Sequence, residues 1–304
     1  MGTAVLAPKI IYRQMLGYTA ARQAEVKNEQ KMNIDDLYTK GEQIVRNLEQ
    51  SDALINLAIL YYDVEDLTIS HAVNVAILAT KLAYNLKYSY DQLVELAGIA
   101  LIHDVGAGRV PPEISAKDYK KLTADEIKIF ESHSVLGYEA ILRDYPNQTM
   151  LAEIVLQHHE KCDGNGYPNN LHCEQMKPGA RIISMIDTYE VLLHPREHRD
   201  ALVPPVGIQE IISRKGSCFD SGLVTALIKS VSVYPVGCYV QLSTGETGRV
   251  IRTSKNNPVR PVVNLILNAE GKRIPDQALD LSTEYLHSIR RCVPPPIDIH
   301  KLLS

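Results

Sequence analysis

The stretch QHHEKCDGNGYP, residues 157–168, decides how the rest of this chain is read. It places two adjacent histidines, an acid and a glycine-flanked turn directly after LAEIVLQ, an apolar run with helical spacing. Alone, the doublet is compatible with ordinary surface composition, because ten histidines are spread over the 304 residues. Its meaning depends on which other polar groups lie on apolar helix faces.

Upstream, YDQLVELAGIALIHD carries Leu93, Leu96 and Ala100 on a stripe that ends in His103, with Asp104 beside it. Thr123-Ala-Asp-Glu is a capping box, with the threonine capping a new helix and Glu126 reaching back. Phe130, His133, Gly137 and Ile141 share one face of that helix. His71 opens the apolar helix HAVNVAILATKLAYNL just after Ser70. Downstream, Pro178 suits a first helical position, and in ARIISMIDTYEVLL the face of Ile183 also presents Asp187 and Glu190. Each item has an ordinary reading: a hydrogen-bonded core histidine, a helix-ending pair, half of a buried salt bridge. Together, five helices deliver imidazole or carboxylate to the interior, where such groups are costly unless paired or metal-bound. Imidazole with carboxylate suits iron, manganese or zinc. No cysteine lies in a ligand pattern, which argues against a structural zinc site. Seven ligands exceed the needs of one ion, whereas two ions sharing a bridging carboxylate would use them, with Asp104 able to reach both. Two metals roughly 3.5–4 Å apart clamp a phosphoryl oxygen and acidify the water between them, which points to a phosphate ester as substrate.

The balance of 32 basic against 36 acidic residues excludes a global basic field that would recruit a nucleic-acid polymer or an anionic membrane. Cys162, Cys173, Cys218, Cys238 and Cys292 form no CxxC pair and read as reduced thiols. No apolar run reaches membrane-spanning length, and MGTAVLAPKIIYRQ lacks a signal-peptide pattern, so a cytoplasmic location is expected. The expected fold class is mainly α. Residues 1–64 form a helical N-terminal region, with Ile34, Leu37, Ile44 and Leu48 on one face, that serves as scaffold and as a surface for a homodimer contact or a regulatory protein. Residues 65–230 form an all-helical metal-binding domain. Residues 231–304 form a small β-rich C-terminal module with a structural or protein-binding role. In it, GCYVQL, STGETG and RVIRTS read as strand, turn and strand, PVVNLIL, NAEG and KRI as a second hairpin, and Pro294–Pro296 as the end of regular structure.

The HD pair at 103–104, joined to HHEKCDGNGYP at 158–168, resembles the HD-GYP branch of the HD-domain phosphohydrolases. The resemblance covers about residues 65–230, including LTADE, the helix of His133 and ARIISMIDTYE. The later YPVGCYVQL and GETGRV resemble a segment that often follows this domain in bacterial proteins. The resemblance implies an HD-type helical domain with two or three metal ions, often iron or manganese. It implies hydrolysis of cyclic di-GMP to linear pGpG, and in some members on to GMP, by a metal-activated hydroxide. The ligands it implies are His71, His103, Asp104, His133, His158, His159 and Asp187, with Asp104 bridging and with His103 and Asp104 as the catalytic pair. Gly166 and Tyr167 would shape the pocket wall, and Arg196 and Arg199 would hold phosphate or a guanine edge. Two departures matter. HDVGA puts Ala107 where a lysine is expected, which removes a charge-assisted contact and leaves Arg109 as a substitute. Leu67 occupies the position of a third-metal glutamate, with Glu65 and Asp66 off register, so two ions are expected rather than three. Glu190 stands where an aspartate is usual. The expected function is a two-metal cyclic di-GMP phosphodiesterase. The alternatives are a cyclic di-GMP-binding regulatory module with weak or no turnover, and a phosphodiesterase for a related cyclic dinucleotide.

Overall fold

A computed structural model describes residues 6–60, 67–196, 199–231, 233–254, 257 and 259–293. The chain forms two compact units, Met1–Leu202 with Gln209–Ser230, and Val203–Ile208 with Val231–Ser304. The expected division between 64 and 65 lies inside the first unit. In chain order the helices are α1 Pro8–Lys27, α2 Leu37–Gln50, α3 Ala53–Leu60, α4 Leu67–Asn85, α5 Tyr90–Leu101 and α6 Pro112–Ser115. They continue with α7 Ala124–Glu131, α8 His133–Asp144, α9 Thr149–Gln157, α10 Pro178–Leu193, α11 Pro204–Ser213 and α12 Ser221–Ser230.

The first unit is organised around α4. From Ile69 to Ala83 every residue except Lys81 is buried, so the helix is apolar on all sides because neighbours cover all of them. Those neighbours are α1, α2, α3, α5, α10 and α12. By length and composition α4 could cross a membrane, yet most of it is buried within the protein. It begins at Leu67, so His71 lies in its second turn rather than opening it. The N-terminal helices belong to this core: Met15, Leu37 and Ile44 are fully buried, and Thr19 Oγ1 donates to the Leu101 carbonyl at the end of α5 (3.1 Å). Ser89 and Gln92 form a capping box that starts α5, and Pro178 takes the first position of α10.

The Thr123–Glu126 box also forms, but the one helix expected after it is two, α7 and α8, divided at Ser132. The cause is local. Ser132 Oγ, His133 Nδ1 and Ser134 Oγ donate to the carbonyls of Ile129, Phe130 and Glu131, at 2.7, 2.6 and 3.1 Å. Three consecutive side chains thus compete for the carbonyls that would continue the ladder.

In the second unit, β1 Tyr239–Leu242, β2 Thr247–Arg252, β3 Val262–Leu267, β4 Arg273–Asp280 and β5 Ile289–Val293 make an antiparallel sheet in the order β4-β3-β2-β1-β5. Both expected hairpins are present, and Gly245 supplies the positive φ (104°) of the first turn. Strand β5, which the sequence reading did not foresee, pairs with β1. Val240, Leu242, Val250, Val263 and Leu265 form the core of the sheet. The expected end at Pro294–Pro296 lies outside the described residues.

One expectation is corrected outright. Cys162 and Cys173 form a disulfide, and only Cys218, Cys238 and Cys292 are free thiols. The loop between the paired cysteines folds back through an antiparallel bridge of Asp163 with His172, which sets its two ends side by side.

Candidate metal centre and substrate cleft

Three of the histidines are aimed by one device. His103, His133 and His158 each follow or sit at the end of a helix and donate Nδ1 to the carbonyl three residues back, on Ala100, Phe130 and Val155. Those carbonyls lie in the last turns of α5, α7 and α9, where they lack an intrahelical partner. A carbonyl can only accept, so Nδ1 carries the proton and Nε2 presents a lone pair. His103 Nε2 is buried with no hydrogen-bond partner. The Nε2 atoms of His133 and His158 face each other at 3.3 Å. Two unprotonated nitrogens that close repel unless a cation stands between or beside them. An orphaned ring nitrogen and a facing pair of lone pairs are what a metal ligand set looks like before the ion is drawn in, so these residues fit the metal that the motif implies.

The donor atoms gather into two triads, His71, His103 and Asp104 in one and His133, His158 and His159 in the other, each within 4.8 Å. Two carboxylates connect them. Asp187 Oδ1 lies 3.0 Å from His71 Nε2, while its Oδ2 lies 3.6 Å from His159 Nδ1. Asp104 Oδ1 lies 3.4 Å from His133 Nε2 of the other triad. All seven expected ligands are therefore in one cluster, and Asp187 joins Asp104 as a link between its halves. Behind His71 stands Glu190, whose Oε2 takes the His71 Nδ1 contact and whose Oε1 accepts from Asn74 Nδ2 (2.9 Å) and faces His194 Nδ1 (2.7 Å). Tyr12 of α1 closes this chain by donating to Asn74 Oδ1 (2.6 Å).

The electrostatics divide along the same line. Burial would lower the His71 pKa, but the Glu190 and Asp187 carboxylates raise it to about 10. Burial would raise the Asp187 pKa, but the hydrogen bond and charge of His71 hold it down to about 2. Glu190 is likewise held well below the carboxylate range, against its burial, by His71 and His194. In the other triad, burial first and neighbouring rings second push His158 and His159 well below 6.5, so both are neutral ligands at neutral pH.

The 160–172 loop walls a cleft beside this cluster. Glu160, the acid of HHE, is not in either triad: its buried carboxylate accepts the backbone N–H of Asn169 (2.6 Å) and Leu171 (2.9 Å) and so fastens the loop's return limb. A Cβ on Gly166 would lie 2.4 Å from both Glu160 Cα and Lys161 N, so only glycine permits this closure. The next residue, Tyr167, then lies against His159 with ring centroids 4.7 Å apart. Gly106 serves similarly in HDVG, since a Cβ there would meet the His133 carbonyl oxygen at 2.0 Å. The cleft has a volume of about 1010 Å³, and His159, Asp187, Gly166 and Tyr167 line it.

The expected substrate arginines are placed otherwise. Arg199 donates to the carbonyls of Val191, Leu192, His194 and Asp200, closing the C-terminus of α10, and Arg196 faces Glu190 at 3.8 Å. Neither lines the cleft. Arg109 pairs with Glu29 (2.9 Å), so it does not stand in for the lysine missing at Ala107. Leu67 begins α4, while Glu65 and Asp66 lie outside the described residues. The sequence reading missed Tyr12, Asn74 and His194 behind Glu190. It also missed Lys161 and Arg214 on the cleft wall, although Lys161 lay inside the quoted motif.

A family model described as an HD domain matches residues 52–223, and one described as a KOW domain associated with HD domain matches residues 239–297. A cyclic di-GMP phosphodiesterase of Pseudomonas aeruginosa is 32% identical over 236 residues, covering 77% of this chain and 56% of that protein. A 3′3′-cGAMP-specific phosphodiesterase of Vibrio cholerae is 30% identical over 161 residues, covering 53% of this chain and 31% of that protein. Among solved structures, an HDG"Y"P protein from Bdellovibrio bacteriovorus shares the fold with a TM-score of 0.61 at 15% identity, over 72% of this chain and 70% of that one. The chain spans about half the length of the first curated relatives it matches.

Proposed function

We propose, from the premise that this chain belongs to the HD-domain family in its HD-GYP branch, that it is a metal-dependent phosphodiesterase hydrolysing cyclic di-GMP to linear pGpG, and on to GMP. The observation that carries this reading is the pair of triads joined through Asp187 and Asp104, two members of which, His159 and Asp187, line a cleft large enough for a dinucleotide. In the proposal the seven side chains hold two divalent ions, iron or manganese, in a cytoplasmic protein. Bound there, the ions would supply Lewis-acid polarisation of a phosphoryl oxygen and a lowered pKa for water.

The remaining work falls to the chain. Asp104 and Asp187 fix the spacing between the two halves of the centre, and His103, aimed by the Ala100 carbonyl, keeps its Nε2 directed inward. Glu190 holds His71 by Nδ1, so that its Nε2 faces Asp187. Tyr167 against His159 walls the cleft on the substrate side. In the reaction, water's oxygen bonds to phosphorus as one P–O ester bond breaks, and the departing sugar oxygen takes up a proton.

The test is anaerobic assay of protein loaded with Fe(II) or Mn(II), with product identified as pGpG or GMP. A protein shown to hold two metals that yields neither product from cyclic di-GMP rejects the enzyme. Tight binding without product would favour instead the regulatory module that Ala107 motivates. The similarity to a protein named as specific for 3′3′-cGAMP makes a mixed cyclic dinucleotide the second substrate to assay.

A further inference from the structure

Beyond the histidine cluster, four basic side chains line the cleft: Lys120 and Lys128, the latter paired with Asp125 (3.5 Å), and Lys161 and Arg214 on the wall formed by the 160–172 loop and the turn after α11. Lys161 follows Glu160 directly, so the fastening of the loop by that carboxylate also sets the position of the lysine. Its Nζ is held by Ser184 Oγ (3.1 Å) and Thr188 Oγ1 (3.3 Å), the hydroxyls flanking Asp187 on α10. It also lies 5.0 Å from the centroid of the Phe219 ring. Arg214 belongs to the same turn as Phe219, because its carbonyl accepts the N–H of Phe219 (3.3 Å) and the hydroxyl of Ser217 (3.0 Å). Both side chains line the same cleft, and the Phe219 ring under Lys161 ties the lysine to the turn that carries Arg214. Among the described residues, neither has a carboxylate within ion-pair distance. The acids that share the cleft are engaged elsewhere, Asp187 with the histidines and Glu131 with the Tyr119 hydroxyl.

Two basic side chains on one wall with no ion-pair partner among the described residues, one of them held by hydroxyls and an aromatic face, form a surface that an anion would complete. Lys161 makes no ion pair with Asp187, although it is hydrogen-bonded to Thr188 beside it, so this wall adjoins the metal ligands in the same cleft without its ammonium being spent on them. A cyclic dinucleotide has two phosphates, and only one at a time can be cleaved. We propose that Lys161 and Arg214 hold the phosphate that is not being cleaved, while the other lies at the histidine centre. This rests on the reading of the chain as a cyclic dinucleotide phosphodiesterase. The two residues are positioning residues: they orient the macrocycle by its far phosphate and leave the chemistry to the other end.

The experiment compares cyclic di-GMP with bis(p-nitrophenyl) phosphate, a diester with a single phosphate, on Mn(II)-loaded full-length protein of verified metal content. Lys161→Met and Arg214→Met are each expected to raise KM for cyclic di-GMP about tenfold, with kcat changed far less. Lys161→Arg, which keeps the charge, should recover most of that loss. On the one-phosphate diester the same variants should lose less than about threefold in kcat/KM, since the contact they remove is never made. Equal losses on both substrates would overturn the proposal, because the residues would then serve the cleaved phosphate or the metal centre. An unchanged KM for cyclic di-GMP would overturn it as well. If Lys161→Met fails to fold, Arg214→Met decides the matter alone. A wild-type protein that cleaves the simple diester but neither binds nor cleaves a cyclic dinucleotide would instead reject the parent function, and the subsite with it.

Discussion

His71 and His158 are both buried imidazoles of one cluster, yet their surroundings drive them to opposite charge states. Against the effect of burial, Glu190 and Asp187 raise the His71 pKa to about 10, while burial and the rings of His103 and His133 push His158 well below 6.5. The first triad is thus surrounded by carboxylate charge and, without metal, is neutralised by a proton. In the second, His158 and His159 are neutral donors, and the triad has no negative charge of its own beyond the shared Asp187 and Asp104. Two halves built from the same ring therefore offer an ion different things: charge compensation in one, soft nitrogen donors in the other.

The largest expected effect tests whether the halves are separable at all. Asp187→Ala removes the group whose two oxygens face rings of both triads, and it should cost both ions and about a thousandfold in turnover. His158→Ala should leave the first triad loaded, so elemental analysis should find about one ion per chain. Equal metal content in the two variants would collapse the distinction.

A pH titration sharpens the comparison next. Below the raised pKa of His71 a metal must displace a proton, so affinity at the first triad should climb with pH, about tenfold per unit up to about 10. The second triad has His158 and His159 already neutral at pH 7 and should change much less. Metal-buffered titrations at pH 6 and pH 8 should therefore separate the two affinities by about a hundredfold; parallel shifts would break the comparison.

The smallest effect is expected at Tyr12→Phe, which removes the hydroxyl that donates to Asn74 and so loosens the support of Glu190. Denaturant unfolding should register about 1 kcal/mol. The severalfold loss of metal affinity that accompanies it should be confined to the first triad.

The clustered side chains were legible because an imidazole or carboxylate on an apolar face is anomalous, and the anomaly recurred on five helices. Their supports were not. Tyr12 and Asn74 are 62 positions apart, and a single polar side chain on an apolar helix has no signature until its partner is known. Arg196 and Arg199 are placed differently from expectation. The family resemblance pointed them to substrate, but the carbonyls ending α10 hold Arg199 and Glu190 faces Arg196. Helix periodicity ran straight through Ser132, because the pattern of faces carries no record of three side chains capturing three carbonyls. The disulfide was equally hidden, since the fold-back of Asp163 onto His172 arises from the loop's own bonding and not from cysteine spacing. Residues 1–64 looked separable for want of active groups, whereas burial of Met15, Leu37 and Ile44 binds them to the core.

The bonds from His103, His133 and His158 to the final turns of α5, α7 and α9 have a mechanical consequence. Helix ends are the parts of a bundle that fray first, and here three of them are stitched to rings that converge on one small volume. The ions those rings would hold, linked through Asp104 and Asp187, become a cross-tie between three segments distant in sequence. Occupancy of the centre then governs how fast the last turns of three helices open, and the slow breathing of the bundle and the loading of its active centre become one equilibrium.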